Sequence, residues 1–245
     1  MTHGVSIADG RSCCPKCKRQ IAAKDNIPLL SYFLLKGKCR NCKTKIPIRY
    51  PLIEFSTGIV FVLTWLVYSS CSLGSILIPG SMCWWSASWG DIALLLSFFL
   101  AVILTAIFII DLDEKIIPDS LVFIGLIVFV FAHMFGASDR LFEFLLTGTL
   151  AGVFILLLHL ITKGKGMGLG DVKFALMGGV ILGWQLTILW LFLAFLTGAI
   201  IGIILILLGK AKFGKQIPFG PFMAMTLIVA YLIGPVIIEQ WMGML

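Results

Sequence analysis

Charge is scarce in this chain: 13% of its 245 residues are Asp, Glu, Lys or Arg, where soluble domains average about a quarter. With 60% hydrophobic residues, one soluble core cannot enclose the apolar surface, so the solvent for most of the chain is lipid. An apolar stretch at the start is also missing. Met1 to Lys45 is polar and basic with no h-region, so no cleavable signal peptide is expected and the first hydrophobic segment stays as a span. No Gly-x-Gly-x-x-Gly turn in a βαβ context marks a nucleotide site. The glycine-rich string before Asp171 lacks the Lys-Ser or Lys-Thr of a Walker loop, which excludes a phosphate-binding loop.

What is present is a succession of apolar runs, each near the ~20 helical residues that cross a ~30 Å hydrocarbon layer. Seven are read: Leu52–Ser69, Ile92–Ile110, Ile116–Phe135, Leu141–Thr162, Val172–Trp184, Leu186–Leu208 and Phe219–Trp241. The fifth is short and Gly-rich, which suits a tilted, re-entrant or half span. The fold expected is an all-α polytopic membrane protein of about seven transmembrane helices. Residues 51–245 form its membrane domain, and residues 1–50 a small cytosolic region.

The net charge of +7 invites a nucleic-acid reading, but its distribution opposes one. Eleven of the nineteen Lys and Arg precede Tyr50. The rest fall in alternate loops: Lys115 in the second, Lys163, Lys165 and Lys173 in the fourth, and Lys210, Lys212 and Lys215 in the sixth. The odd connections hold Arg140 alone. That alternation follows the positive-inside rule and places the N-terminus and the even loops in the cytosol. The partner implied is the lipid bilayer, with no nucleic acid.

Two acids interrupt apolar surroundings where a carboxylate is costly without a partner, water or a task. Asp111 ends one hydrophobic run, and Asp171 closes the string Gly166-Met167-Gly168-Leu169-Gly170-Asp171. Two such residues on different segments suggest a pair that meets and activates water by general acid/base chemistry. Asp113, Glu114 and Asp119 share a loop with Asp111 and compete with it as solvated or capping residues. Gly164, Gly166, Gly168 and Gly170 allow unusual dihedrals and a close approach of a substrate strand, with Gly168 and Gly170 forming the substrate-site backbone. The bland alternative for Asp171 is a helix N-cap. His133 and His159, on apolar segments without a partner motif, read as hydrogen-bonded residues of the interior, and His3 lies near the terminus.

Cys14-Pro15-Lys16-Cys17 is followed, twenty-one residues on, by Cys39-Arg40-Asn41-Cys42. Each Cys-x-x-Cys places two sulfurs on one tight turn, and two such turns complete a tetrahedron around Zn²⁺ with no open position. The region is thus zinc-ribbon-like, and the metal supplies folding energy that some forty residues lack on burial alone. Two disulfides are a poor alternative in a reducing cytosol. Cys13 is read as a spare thiol. Cys71 and Cys83, in the first exoplasmic loop, either pair there or stand as two small apolar residues.

Several of these strings together resemble one family. Asn26-Ile27-Pro28-Leu29-Leu30-Ser31-Tyr32, Gly37-Lys38-Cys39-Arg40-Asn41-Cys42 and Arg49-Tyr50-Pro51-Leu52-Ile53-Glu54 resemble the cytosolic domain of bacterial type IV prepilin leader peptidases. Ile110-Asp111-Leu112-Asp113 with Ile117-Pro118-Asp119, and Gly168-Leu169-Gly170-Asp171-Val172-Lys173, are similar to its two aspartate motifs. Ile217-Pro218-Phe219-Gly220-Pro221 is similar to a third. The resemblance runs in order from about Ser12 to Leu227. It implies a multi-pass plasma-membrane aspartic endopeptidase that removes the basic leader of prepilins and pseudopilins after a glycine, on the cytosolic side. Many members then methylate the new N-terminal residue from S-adenosylmethionine. Carried over by motif, the catalytic pair is Asp111 and Asp171. Such proteins usually open with a further membrane helix, whereas here Gly4-Val5-Ser6 leads straight to the cysteines. The start is then either truncated or that of a member working with seven spans.

Two other classes were weighed. A transporter or channel would use Asp111 and Asp171 as proton or cation sites, but calls for acids near the bilayer midplane and often internal repeats. A zinc-ribbon scaffold without catalysis leaves the glycine–aspartate string unexplained.

Overall fold

The computed structural model describes residues 12–72, 91–136, 138–164, 166–209 and 218–242. Within them the regular structure is helical, apart from two isolated antiparallel bridges. The chain divides into two compact units, Met1–Val60 and Phe61–Leu245. Cys83, His3, Lys165 and the loop carrying Lys210, Lys212 and Lys215 lie outside the described residues, and with Cys83 the question of its pairing with Cys71.

The first unit is built on two copies of one turn. Cys13 bridges Gln20 and Lys38 bridges Lys45. The Cys14 amide donates to the Arg19 carbonyl as the Cys39 amide does to that of Thr44, and Lys18 closes on Cys14 as Lys43 does on Cys39. Lys18 and Lys43 take matching left-handed backbones, φ 57° and 58°. Between the two turns lies the one-turn helix α1, Leu30–Leu34. After them α2, Arg49–Ser72, begins with Pro51 in its first turn, where a missing N–H costs nothing.

The second unit holds α3 (Asp91–Glu114), α4 (Asp119–Gly136), α5 (Leu141–Ile161), α6 (Leu169–Leu182), α7 (Trp184–Leu207) and α8 (Gly220–Met242). Among the described residues six helices are long and apolar enough to cross a membrane: α2, α3, α4, α5, α7 and α8. The fifth apolar run is the departure from seven. It forms α6, whose 14 residues rise only about 21 Å at 1.5 Å each, short of the ~30 Å hydrocarbon layer. Its boundaries are set by glycine: Gly168 precedes it, and Gly183, at φ 72°, turns the chain into α7 after one residue.

Although short, α6 is the centre of the packing. It contacts α4, α5, α7 and α8, and nine of its residues are buried. Small residues make that approach possible, as they do between membrane helices generally. A Cβ on Gly179 would stand 2.7 Å from the Gly148 Cα, so α5 and α6 touch backbone to backbone. The Trp190 ring of α7 fills the space that a side chain at Gly178 would need. The Trp190 indole, fully buried, donates to the Met223 carbonyl at 2.8 Å and ties α7 to α8. His133 is also fully buried, with its Nε2 3.0 Å from the Val180 carbonyl, as expected of a hydrogen-bonded interior histidine.

Candidate active site

Asp111 lies in the last turn of α3, and Asp171 is the third residue of α6. Both are buried, at 4% and 8% exposure, and both line one cavity of about 430 Å³. Asp111 is close enough for its charge to act on Asp171. The walls also include Lys115, Ile117 and Asp119 from the α3–α4 connection, Gly164, Gly166, Met167, Gly168 and Gly170, and Pro218 and Phe219 before α8.

The loop expected to hold the competing acids is largely helix, because α3 runs on to Glu114. Asp113 and Glu114 are exposed residues of its last turn. At 3.6 residues per turn Asp113 stands about 200° round from Asp111, which is why one faces out and the other into the unit. Asp119 opens α4 instead, and its Oδ2 meets the Lys173 Nζ at 2.6 Å. That ion pair joins the α4 and α6 starts, but its partners are 55% and 41% exposed. Such pairs contribute only about 0–1 kcal/mol.

The two carboxylates are held differently. Asp171 Oδ2 accepts the Gly168 amide at 2.8 Å, reaching back over the first turn of α6 as an N3 acid does in a capping box. Asp111 Oδ2 is buried and has no hydrogen-bond partner among the described residues. The Gly220 amide acts on it electrostatically without hydrogen-bond geometry. A Cβ on Gly220 would lie 2.6 Å from that same oxygen, so a side chain there would force the carboxylate or the start of α8 to shift. A buried, unpartnered carboxylate oxygen is costly unless water or substrate meets it.

The four glycines of the string play different parts. Gly164 alone of its four members takes a left-handed backbone, φ 74°. Gly170 serves close approach, since a Cβ there would lie 3.1 Å from the Ile117 Cβ, whereas Gly168 is extended and exposed, and a Cβ there would meet Asp171 Oδ2 only at ordinary contact distance, 3.6 Å. The string is held by a residue that sequence reasoning left in the interior. His159 donates from Nδ1 to the Met167 carbonyl at 2.6 Å, the carbonyl being able only to accept. Its own carbonyl accepts the Gly164 amide at 2.9 Å. Thr162 Oγ1 accepts the Gly166 amide at 3.3 Å. The place of His159 just ahead of the string was the one sequence signal of this contact.

The four cysteines of the paired turns converge as their spacing predicts. All four sulfurs lie within 4.8 Å of one another, and Cys14 and Cys42 are 3.8 Å apart. Four sulfurs about 2.3 Å from one ion in a tetrahedron stand about 3.8 Å apart, so the donor set fits a closed zinc site. Amides of Cys17 and Lys16 hold the Cys14 thiol down to about 6, and those of Cys42 and Asn41 lower Cys39. Both favour the thiolate that a metal needs. Cys13 is exposed and outside the cluster. Arg40, inside the second turn, makes a bidentate pair with Asp25 at 2.6 and 2.7 Å, which lowers the Asp25 carboxyl below its usual range.

Residues 2–68 match the bacterial peptidase A24 N-terminal domain, and residues 98–203 match the type IV leader peptidase family. The chain is 37% identical over 238 residues to the prepilin leader peptidase/N-methyltransferase of Aeromonas salmonicida, covering 95% of this chain and 75% of the relative. The chain belongs to the type IV leader peptidase family. A second relative, the prepilin leader peptidase/N-methyltransferase of Aeromonas hydrophila, is 38% identical over 91% of this chain and 72% of its own length. That of Pseudomonas aeruginosa is 35% identical over 94% and 74%. No solved structure matches the chain. Both acids and the glycine string fall within the stretch matched by the leader peptidase family, and all four clustered cysteines within the N-terminal domain.

Proposed function

We propose that this protein is a membrane aspartic endopeptidase that removes the leader of type IV prepilins or pseudopilins after a glycine on the cytosolic side, with Asp111 and Asp171 as its catalytic pair. The observation that carries the reading is the meeting of two buried acids, sixty positions apart in sequence, in one cavity. Two carboxylates sharing a site cannot both ionise cheaply, so one is charged and the other protonated. The charged carboxylate takes a proton from a water held between them. The water oxygen bonds to the scissile carbonyl carbon while the protonated acid gives its proton to the carbonyl oxygen. When the tetrahedral adduct collapses, the C–N bond breaks and the new amine leaves with the proton first taken from water. The exposed backbone at Gly168, on the cavity wall with Gly170, offers a strip against which an extended leader can lie.

Residues 1–50 form the metal-binding region and residues 51–245 the peptidase domain in this reading. Cys14, Cys17, Cys39 and Cys42 hold a structural Zn²⁺, which supplies folding energy and no chemistry. The alternation of basic residues supports placement in the bacterial plasma membrane with the N-terminus and the cavity facing the cytosol. The relatives' names support a second step, N-methylation of the new terminus from S-adenosylmethionine. No residue of this chain is assigned to that cofactor.

The test is incubation of membranes containing the protein with a prepilin and S-adenosylmethionine, reading the product N-terminus by mass spectrometry. Asp111→Asn and Asp171→Asn should each lower cleavage by about 10³-fold or more, the upper range of an acid–base contribution, with expression and insertion unchanged. Asp113→Asn should have a mild effect. Near-normal turnover in either of the first two variants would overturn the assignment. A cleaved but unmethylated product would remove the second step and leave the first.

A further inference from the structure

The first unit carries a surface of reversed amphipathicity. Leu30, Phe33 and Leu34 of α1, spaced i, i+3 and i+4 on one helix face, are 52%, 72% and 69% exposed. The small polar residue between them, Ser31, points inward: its Oγ accepts the Ile27 amide at 3.0 Å and donates to the Lys24 carbonyl at 3.2 Å. Ile27, Ile48 and Tyr50 extend the apolar exposure. A five-residue helix ordered by its polar side and bare on its apolar side calls for something to cover it.

Two further observations identify the cover. The first is depth. The Leu29 amide donates to Glu54 Oε2 at 2.8 Å, which fastens the start of α1 to the second turn of α2. The membrane-capable part of α2 begins at Arg49, so Glu54 lies about 7.5 Å along the helix axis at 1.5 Å per residue. Interfacial helices bury their apolar face about 5–10 Å deep, and α1 is fastened within the first two turns of a membrane-capable helix. The second is charge. Lys24 and Lys36 are exposed within six residues of α1 in sequence, and Lys38, Lys43 and Lys45 are exposed on the second cysteine turn. Asp25, the acid in the described stretch 12–53, is neutralised by its pair with Arg40.

We propose that α1 is an interfacial anchor: Leu30, Phe33 and Leu34 enter the headgroup–acyl boundary of an anionic leaflet, and these lysines hold the first unit to its phosphates. Apolar insertion and a polybasic surface are the two signals that together make such binding stable. Glu54 then has a structural task at a depth where a carboxylate is otherwise costly, since it satisfies the amide of Leu29, a non-glycine residue at φ 60°.

The experiment uses the full chain, with its zinc, in vesicles of mixed phosphatidylglycerol and phosphatidylcholine. A benzoylphenylalanine photoprobe replaces Phe33 in one preparation and the exposed Asn41 in another, and adducts are identified by mass spectrometry. The expected result is a lipid adduct at position 33 several-fold above that at 41, falling in phosphatidylcholine alone and in the double variant Lys36→Glu, Lys38→Glu. Retained zinc reports that each preparation is folded. Equal lipid capture at 33 and 41 would overturn the proposal. So would capture of this chain, of a second copy, or of an added prepilin peptide in place of lipid, and equal capture in neutral vesicles would overturn its anionic part. None of these outcomes depends on the identity of the catalytic pair.

Discussion

The cysteine cluster and the acid cavity both gather groups from distant parts of the sequence, and they do it by opposite means. Each cysteine turn is a local object, six or seven residues closed by their own backbone hydrogen bonds, and the two turns need only meet. The acids have no local device of that kind. Asp111 rides on the end of a long helix and Asp171 on the start of a short one. Their meeting depends on how α3, α5, α6 and α8 pack along their whole length. The first site is robust to changes in the surrounding packing and fragile to loss of any ligand. The second should fail when helices are moved far from it.

That contrast is broken most directly at Gly179. A side chain there meets the Gly148 backbone at 2.7 Å, and neither backbone can yield without moving α6. Gly179→Leu should cost more than the ~1–3 kcal/mol of ordinary overpacking, abolish prepilin cleavage, and leave one zinc per chain by metal analysis. Loss of zinc together with activity would mean that the two sites are not separable. The converse change is Cys14→Ser. It removes one of four donors from a closed site, and zinc content should fall to near zero with the first unit's fold, since metal binding there is folding energy. Circular dichroism should show the long helices still formed.

The same difference decides what could be read from sequence. The cysteine cluster was legible because two sulfurs three positions apart on one turn leave their geometry in the spacing. The acids were legible as candidates because a carboxylate in an apolar run is costly, and Asp111 was separated from Asp113 only by motif likeness until the extent of α3 showed which face each occupies. The shortness of α6 was legible in the short, Gly-rich run Val172–Trp184, which already suited a half span. Its bounds were not, because the backbone roles of Gly168 and Gly183 appear only in three dimensions. Gly220 stood in the third motif-like string, but nothing in Pro218-Phe219-Gly220-Pro221 tells that it packs against Asp111.

Gly220 offers a sharper and smaller test. In Gly220→Ala the new methyl would sit 2.6 Å from Asp111 Oδ2, and the buried carboxylate must turn or α8 must shift by a fraction of an ångström. Misplacement of a catalytic group by about 1 Å costs roughly 100-fold, so a fall in kcat of about 10- to 100-fold is expected. The protein should still insert and bind zinc. Unchanged kcat would show that Asp111 has room to move, against the close fit of α8.

The smallest effect expected is at His159, which lies on α5 and acts on Asp171 through the string between them. Its Nδ1–H to the Met167 carbonyl fixes the strand that enters Gly168, and the Gly168 amide in turn holds Asp171 Oδ2. One net hydrogen bond of about 1 kcal/mol corresponds to about a fivefold loss, and it should appear in kcat if the bond orients the carboxylate. His159→Phe keeps an aromatic ring beside Gly164 and removes the donor. His159→Asn removes the ring and retains an N–H near the Nδ1 position. If the bond positions Asp171, the Asn variant recovers most of the activity and the Phe variant does not. If the ring merely fills space against Gly164, where a Cβ would lie 3.3 Å from the His159 Cε1, the order reverses. Kinetics of the two variants on one prepilin separate these, because a loss confined to KM would place the effect on the substrate strip rather than on the acid.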